Sequence, residues 1–146
     1  PVSGDSPSVK LLTNGIRGSL KYSDSEWCTW NDNDSVSFTI DLLKPETLNT
    51  LTLGCITNNG MAIHKPSSVK VEVSDDNSSF CEAAMRSFTP EEIFREGNFI
   101  ENLPLKLRGT QARYVRVTAK GPGVCPASHV RPGQVSRILF DEMILE

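Results

Sequence analysis

The sequence has no CxxC pair, no block of lysine and arginine, no apolar run approaching a membrane span, and almost no helical periodicity. Each absence excludes something. Without CxxC spacing among Cys28, Cys55, Cys81 and Cys125, zinc ribbons and thioredoxin-like chemistry are poor readings. The net charge of −3 has no basic cluster to set against it. The electrostatic term that drives binding to nucleic acid or to an anionic membrane is therefore missing, and neither partner is expected. Direct membrane insertion is not expected either, and no secretory h-region is present. Neither His64 nor His129, 65 residues apart in separate loops, stands in a nucleophile, metal-binding or catalytic-cysteine motif. The pairs Glu91-Glu92 and Asp141-Glu142 do not converge as a glycosidase's carboxylates must, because neighbours on a strand point to opposite faces. A non-enzymatic chain is expected.

What is present is a series of short alternating strands. The 146 residues, 38% hydrophobic and 23% charged, suit one compact domain. Pro1 to Ser8 reads as a linker, residues 9–146 as the domain, and the whole as a module of a longer protein. Asn31 to Asp34 is a turn cluster. Val36, Phe38, Ile40 and Leu42 alternate with polar residues; so do Leu51, Leu53 and Cys55, and Val69, Val71 and Val73. Leu103–Leu107, Ala112–Ala119 and Ile138–Leu145 complete the set. Thr89-Pro90-Glu91-Glu92 is a capping box that opens one short helix. Turn-punctuated strands of this kind predict an all-β sandwich. Four cysteines permit two disulfides in three connectivities, or serve as small buried hydrophobes; Cys55 fits the second role, and the pairing of Cys125 stays open.

The one stretch that is neither strand nor helix is Leu11-Leu12-Thr13-Asn14-Gly15-Ile16-Arg17-Gly18-Ser19, leading to Tyr22, Trp27 and Trp30. Gly15 and Gly18 let a short loop fold back and turn carbonyls inward. Joined by a carboxylate from Phe140-Asp141-Glu142, such a loop offers the oxygen set of a calcium site.

These residues, with the Arg113-Tyr114-Val115-Arg116-Val117 strand, resemble the discoidin (F5/8 type C) domains, and within them the family 32 carbohydrate-binding modules. The resemblance runs from about Ser8 to Glu146. It is most similar to modules of bacterial β-hexosaminidases, chitobiases and fucosidases, through Gly121-Pro122-Gly123-Val124-Cys125-Pro126 and His129. The resemblance implies a galactose-binding-like jelly roll of two antiparallel sheets. It also implies structural calcium held by Asn14, Ser19 and Glu142 with carbonyls of Leu11, Ile16 and Asp141. Asn14 replaces the family's usual Asp and removes one charge from the site.

Sugar binding requires an exposed ring to stack on a pyranose, surrounded by planar polar groups. Tyr22, Trp30, Asn58, Asn59, His129 and Arg131 are the candidates, with Trp30 equally readable as core. Trp27 matches the family's tryptophan beneath the calcium loop. Galactose-binding members carry a His just after that Trp, where this chain has Cys28, and an Arg early in the loop that here reads Thr57-Asn58-Asn59-Gly60. Galactose specificity therefore does not carry over. The resemblance implies a monomeric accessory module of a periplasmic, cell-surface or secreted bacterial glycoside hydrolase. Its partners would be a glycan bearing an amino sugar or galactose, and the parent's catalytic domain. The competing expectation is a structural module that packs on that domain and binds no sugar.

Overall fold

A computed structural model describes residues 2–4, 7–30 and 35–146, with side chains from Lys10 onward. The turn expected at Asn31–Asp34 lies outside the described residues. The elements in order are β1 (Val2–Gly4), a 3-10 helix (Pro7–Thr13), β2 (Cys28–Trp30) and β3 (Ser35–Asn58). Then come β4 (Ser68–Ser74), β5 (Cys81–Ser87), the one-turn helix α1 (Pro90–Ile93), β6 (Asn98–Lys120) and β7 (Ile138–Leu145). Every ladder is antiparallel. Within the stretch read as a linker, Val2–Gly4 pairs with Phe38–Ile40 of β3.

The hydrogen-bonded path is continuous, in the order β2-β7-β3-β6-β4-β5 with β1 beside β3. Two layers arise because β3 and β6 are long and bend together. Register shifts fall between Asp41 and Glu46 and between Leu48 and Thr50. Leu43, Arg108 and Gly109 there adopt positive φ, a bulge conformation that turns the ladder. On one side of the bend, Ser35–Asp41 pairs with β6 residues 114–120, which in turn pair with β4, and β4 with β5. On the other, Thr50–Asn58 pairs with residues 98–106 of β6 and, around Leu51–Cys55, with β7, which carries β2.

The alternation read in the sequence becomes the inner faces of these layers. Val36, Phe38, Ile40, Val69, Val71, Val115 and Val117 share one buried cluster with Leu51, Leu53, Leu103, Leu105, Ile138 and Phe140. Each such side chain contributes about 1.5–3 kcal/mol on burial, so the layers are held chiefly by apolar area. Trp30 lies inside this cluster, 5% exposed, its ring 6.3 Å from Phe38 and 5.7 Å edge-on from Phe140. The core reading of Trp30 is therefore the right one, and its candidacy for sugar stacking is withdrawn: a ring sealed on both faces cannot meet a ligand.

The capping box at α1 is formed as expected, Thr89 and Glu92 each taking the other's backbone N–H. All four cysteines are unpaired; Cys28, Cys55 and Cys125 are buried and Cys81 is exposed. The strand β5 was not legible, because as an edge strand it is exposed or half-buried throughout and shows no alternation. Among the described residues, no helix is long and apolar enough to cross a membrane.

Candidate functional site

Two polar clusters lie outside the apolar core. The first joins the loop after Thr13 to the acidic pair of β7. Asp141, fully buried, accepts at Oδ2 from Arg17 Nε (2.8 Å) and from the Gly18 amide (2.9 Å), and at Oδ1 from the Glu142 amide. Glu142 accepts the Gly15 amide at 2.8 Å. Burial raises the Glu142 carboxyl above the ordinary carboxylate range, and the neighbouring Asp141 adds to the rise. Two close approaches make room for this arrangement. A side chain at Gly18 would collide with the Trp27 indole, and one at Gly54 with Asp141 and Arg17. Trp27 is buried beneath the loop and donates its Nε1–H to the Ser19 carbonyl at 2.9 Å.

Of the residues expected to hold calcium, Asn14 and Ser19 are exposed and spend their oxygens locally. Asn14 Oδ1 accepts from the Ile16 amide and Ser19 Oγ from the Lys21 amide. Asn14 also donates to Glu26 at 2.7 Å. Leu11 is half-buried beside the core, while the Ile16 side chain is 51% exposed. Arg17 is the residue that sequence reasoning passed over: its guanidinium reaches both Asp141 and Asn102. A lone basic residue between two glycines, facing a buried carboxylate, was the available signal.

The second cluster is built by the segment 59–64 and the long loop 121–137. Backbone bonds fix these two segments together: His64 N to Arg137 O (3.1 Å), Arg137 N to Ala62 O (2.8 Å), and Cys125 N to Gln134 O (2.8 Å). Arg137 reaches further, donating to the Met61 carbonyl and lying 5.5 Å over the half-buried Tyr22 ring. The segment around Tyr22 thus meets both of these loops. A cleft of about 430 Å³ opens here, lined by Asn59, Gly60, Phe94, Glu96, Pro126, Ser128, His129 and Val130.

Beneath the cleft, His64 is sealed from solvent, and that burial, with His129 nearby, pushes its pKa down to about 4. An amide N–H of Asn59 lies 3.0 Å from His64 Nε2, which places the ring proton on Nδ1, 3.0 Å from Ser136 Oγ. The His64 ring stands edge-on to Phe94 (4.9 Å) and to His129 (5.1 Å). Two histidines that looked unrelated along the chain are neighbours in space.

Of the sugar candidates, Asn59 and His129 line the cleft. Asn58 is half-buried and does not line it; its backbone pairs with Ile63. Arg131 is exposed and donates from Nε to the Gly60 carbonyl, bracing one loop on the other rather than pointing into the cleft. Tyr22 packs against the small cluster of Trp27, Ile56, Ile63 and Leu139. Phe94 and Glu96 were not singled out from the sequence; they lie in the irregular region after α1, where no periodicity marks a role.

The sequence matches the model of the F5/8 type C domain over residues 5–131. No curated protein matches it. Among solved structures, CpGH89CBM32-6 produced by Clostridium perfringens aligns with TM-score 0.62 at 15% identity, over 100% of this chain and 91% of that one. The C-terminal domain of a chitobiase from Bacteroides fragilis aligns with TM-score 0.58 at 15% identity, over 100% and 89%. The CBM32 of AlyQ, solved in complex with 4,5-unsaturated mannuronic acid, aligns with TM-score 0.60 at 17% identity, over 100% and 93%. At these identities the likeness establishes the fold alone, an all-β jelly-roll sandwich.

Proposed function

Because the chain belongs to the F5/8 type C domain family, we propose that it is a non-catalytic glycan-binding module, with the cleft at Asn59, Phe94 and His129 as its site. The observation that carries this reading is the composition of the cleft. Phe94 and Val130 offer apolar surface to the hydrophobic face of a sugar, and Asn59, Ser128 and His129 offer planar or hydroxyl partners to its edge. Glu96 places a carboxylate at the rim, which disfavours uronic acids and favours a neutral amino sugar or galactose unit. A glycan array followed by titration of Phe94→Ala tests it. Binding to neutral glycans in the parent, weakened tenfold or more in the variant, is expected. No binding by the parent to any glycan leaves the alternative, a structural module that packs on a catalytic domain. Attachment to a chitobiase-type hydrolase outside the cytoplasm belongs to the same proposal.

The reading extends to structural calcium at the first cluster. Its support is Glu142, a mostly buried carboxylate with a raised pKa whose charge a cation would relieve. Glu142 would hold the ion with carbonyls of the loop, and Asn14 and Ser19 would exchange their local bonds to join it. The ion would fix the loop and take no part in chemistry. A melting temperature higher in calcium than in chelator for the parent, and equal in both for Glu142→Gln, is expected.

A further inference from the structure

We propose that His64, Cys125 and His129 form a binding site for a soft or borderline divalent metal ion such as zinc, at the floor of the cleft. One ligand atom from each of the three side chains lies within 4.8 Å of the other two. Two imidazoles and one thiolate are a donor set suited to zinc, copper or cobalt, and unsuited to calcium or magnesium. The site is distinct from the calcium loop in both position and chemistry.

The frame around these donors is already assembled. Cys125 and His129 are four residues apart on one loop, tied by the bonds from His129 N to Pro126 O (3.0 Å) and Gly133 N to Cys125 O (2.9 Å). His64 comes from the other segment and is fixed through Arg137. His64 and Cys125 are both buried, so their donor atoms cannot wander into solvent. Ser136 Oγ lies between them, 3.0 Å from His64 Nδ1 and 3.5 Å from Cys125 Sγ. Metal bonds to nitrogen and sulfur of roughly 2.0–2.3 Å would draw the three donors somewhat closer together than the 4.8 Å that bounds their separations here.

A second observation points to a missing ligand. His129 Nε2 is buried and has no hydrogen-bond partner among the described residues. Its other nitrogen, Nδ1, accepts the Arg131 amide at 2.9 Å, so the neutral ring carries its proton on the orphaned nitrogen. A buried N–H without an acceptor is costly, and native structures rarely keep one. Metal binding removes it. The ring proton moves to Nδ1, the exposed Arg131 amide turns to water, and Nε2 gives its lone pair to the ion. Cys125 releases one proton to solvent as its thiol becomes the thiolate ligand. The His64 proton likewise moves from Nδ1 to Nε2, where Asn59, 3.0 Å away, turns its amide oxygen to accept it and leaves the Nδ1 lone pair for the ion. Three protein ligands leave a fourth position open to water on the cleft side.

The test uses the full 146-residue chain without an affinity tag, stripped with chelator and kept reduced, titrated with cobalt(II) and then zinc. Saturable binding of one cobalt is expected, with a thiolate-to-cobalt charge-transfer band that zinc abolishes, and a higher melting temperature with zinc. Cys125→Ser should lose the band, and His129→Ala should weaken binding at least tenfold. Cys81→Ser, which changes the exposed thiol, should titrate as the parent does. His129 is half-exposed, so its variant reports even where Cys125→Ser fails to fold. No saturable band in the parent, or the same binding in His129→Ala, overturns the proposal. Glycan binding in chelator, measured separately, keeps the two readings of the cleft apart.

Discussion

At the Gly15–Gly18 loop the Asp141 carboxylate collects a guanidinium and two backbone amides, whereas at the histidine corner a sealed ring nitrogen has no hydrogen-bond partner among the described residues. Both clusters join segments far apart in sequence, and both lie under loops rich in glycine or proline. The difference lies in how completely the polar groups are matched. The saturated Asp141 carboxylate contributes rigidity, and at this loop Glu142 is the carboxylate that keeps capacity for a cation. An unsaturated network carries an energetic cost that a ligand can remove. The loop at Gly15–Gly18 therefore acts as a clasp between segments distant in sequence, and the histidine corner is the site proposed for a ligand.

The largest expected effect is on the clasp. Asp141→Ala removes the acceptor of three N–H groups and leaves the Gly18 and Glu142 amides without their partner. It should cost about 3 kcal/mol in a denaturant titration, because unpaired buried donors lose their full solvation. A loss no greater than that of an exposed substitution breaks the comparison, since the network would then be decorative. His129→Ala should be much milder, within about 0.5–1 kcal/mol of the parent, because the ring it removes carries an unmatched nitrogen. The same variant should lose ligand binding, so stability and binding separate at one corner and coincide at the other.

The smallest effect is a control at a saturated, half-buried pair on the sheet surface. Two hydrogen bonds from Arg113 and one from the Leu43 amide lower the Asp41 pKa from the ordinary 3.8 to about 2. The folded chain holds this carboxyl ionised where the unfolded chain protonates it. The contribution is therefore fully present above the ordinary value and is lost as pH falls through that window toward 2. Asp41→Asn should flatten the acid limb of the stability profile there and slightly lower stability near neutral pH, where the ionised carboxylate's contribution is fully present. A profile unchanged below pH 3.8 would place the lowering of that pKa outside the folded state.

Much of the sandwich was legible because a strand with one buried face must alternate, as Val36–Phe38–Ile40 and Val69–Val71 do. The capping box at Thr89 was legible because its geometry is local. The resemblance to F5/8 type C domains rested on such motifs and is matched over most of the chain. Strand β5 escaped because an exposed edge imposes no pattern, and Trp30 was ambiguous because an aromatic in a loop region suits either a core or a site.

Sequence by itself determined the fold class and the pairing of the glycine loop with Asp141-Glu142, since these follow from periodicity, turn chemistry and motif. Only the tertiary structure decided that β3 and β6 bend to make two layers from one ladder. It alone joined Arg17 to Asp141, placed Phe94 and Glu96 at the cleft, and set His64 against His129. Those contacts link residues with no periodic relation along the chain. Their proximity depends on how two long strands turn and where the connecting loops then meet, which no local pattern encodes.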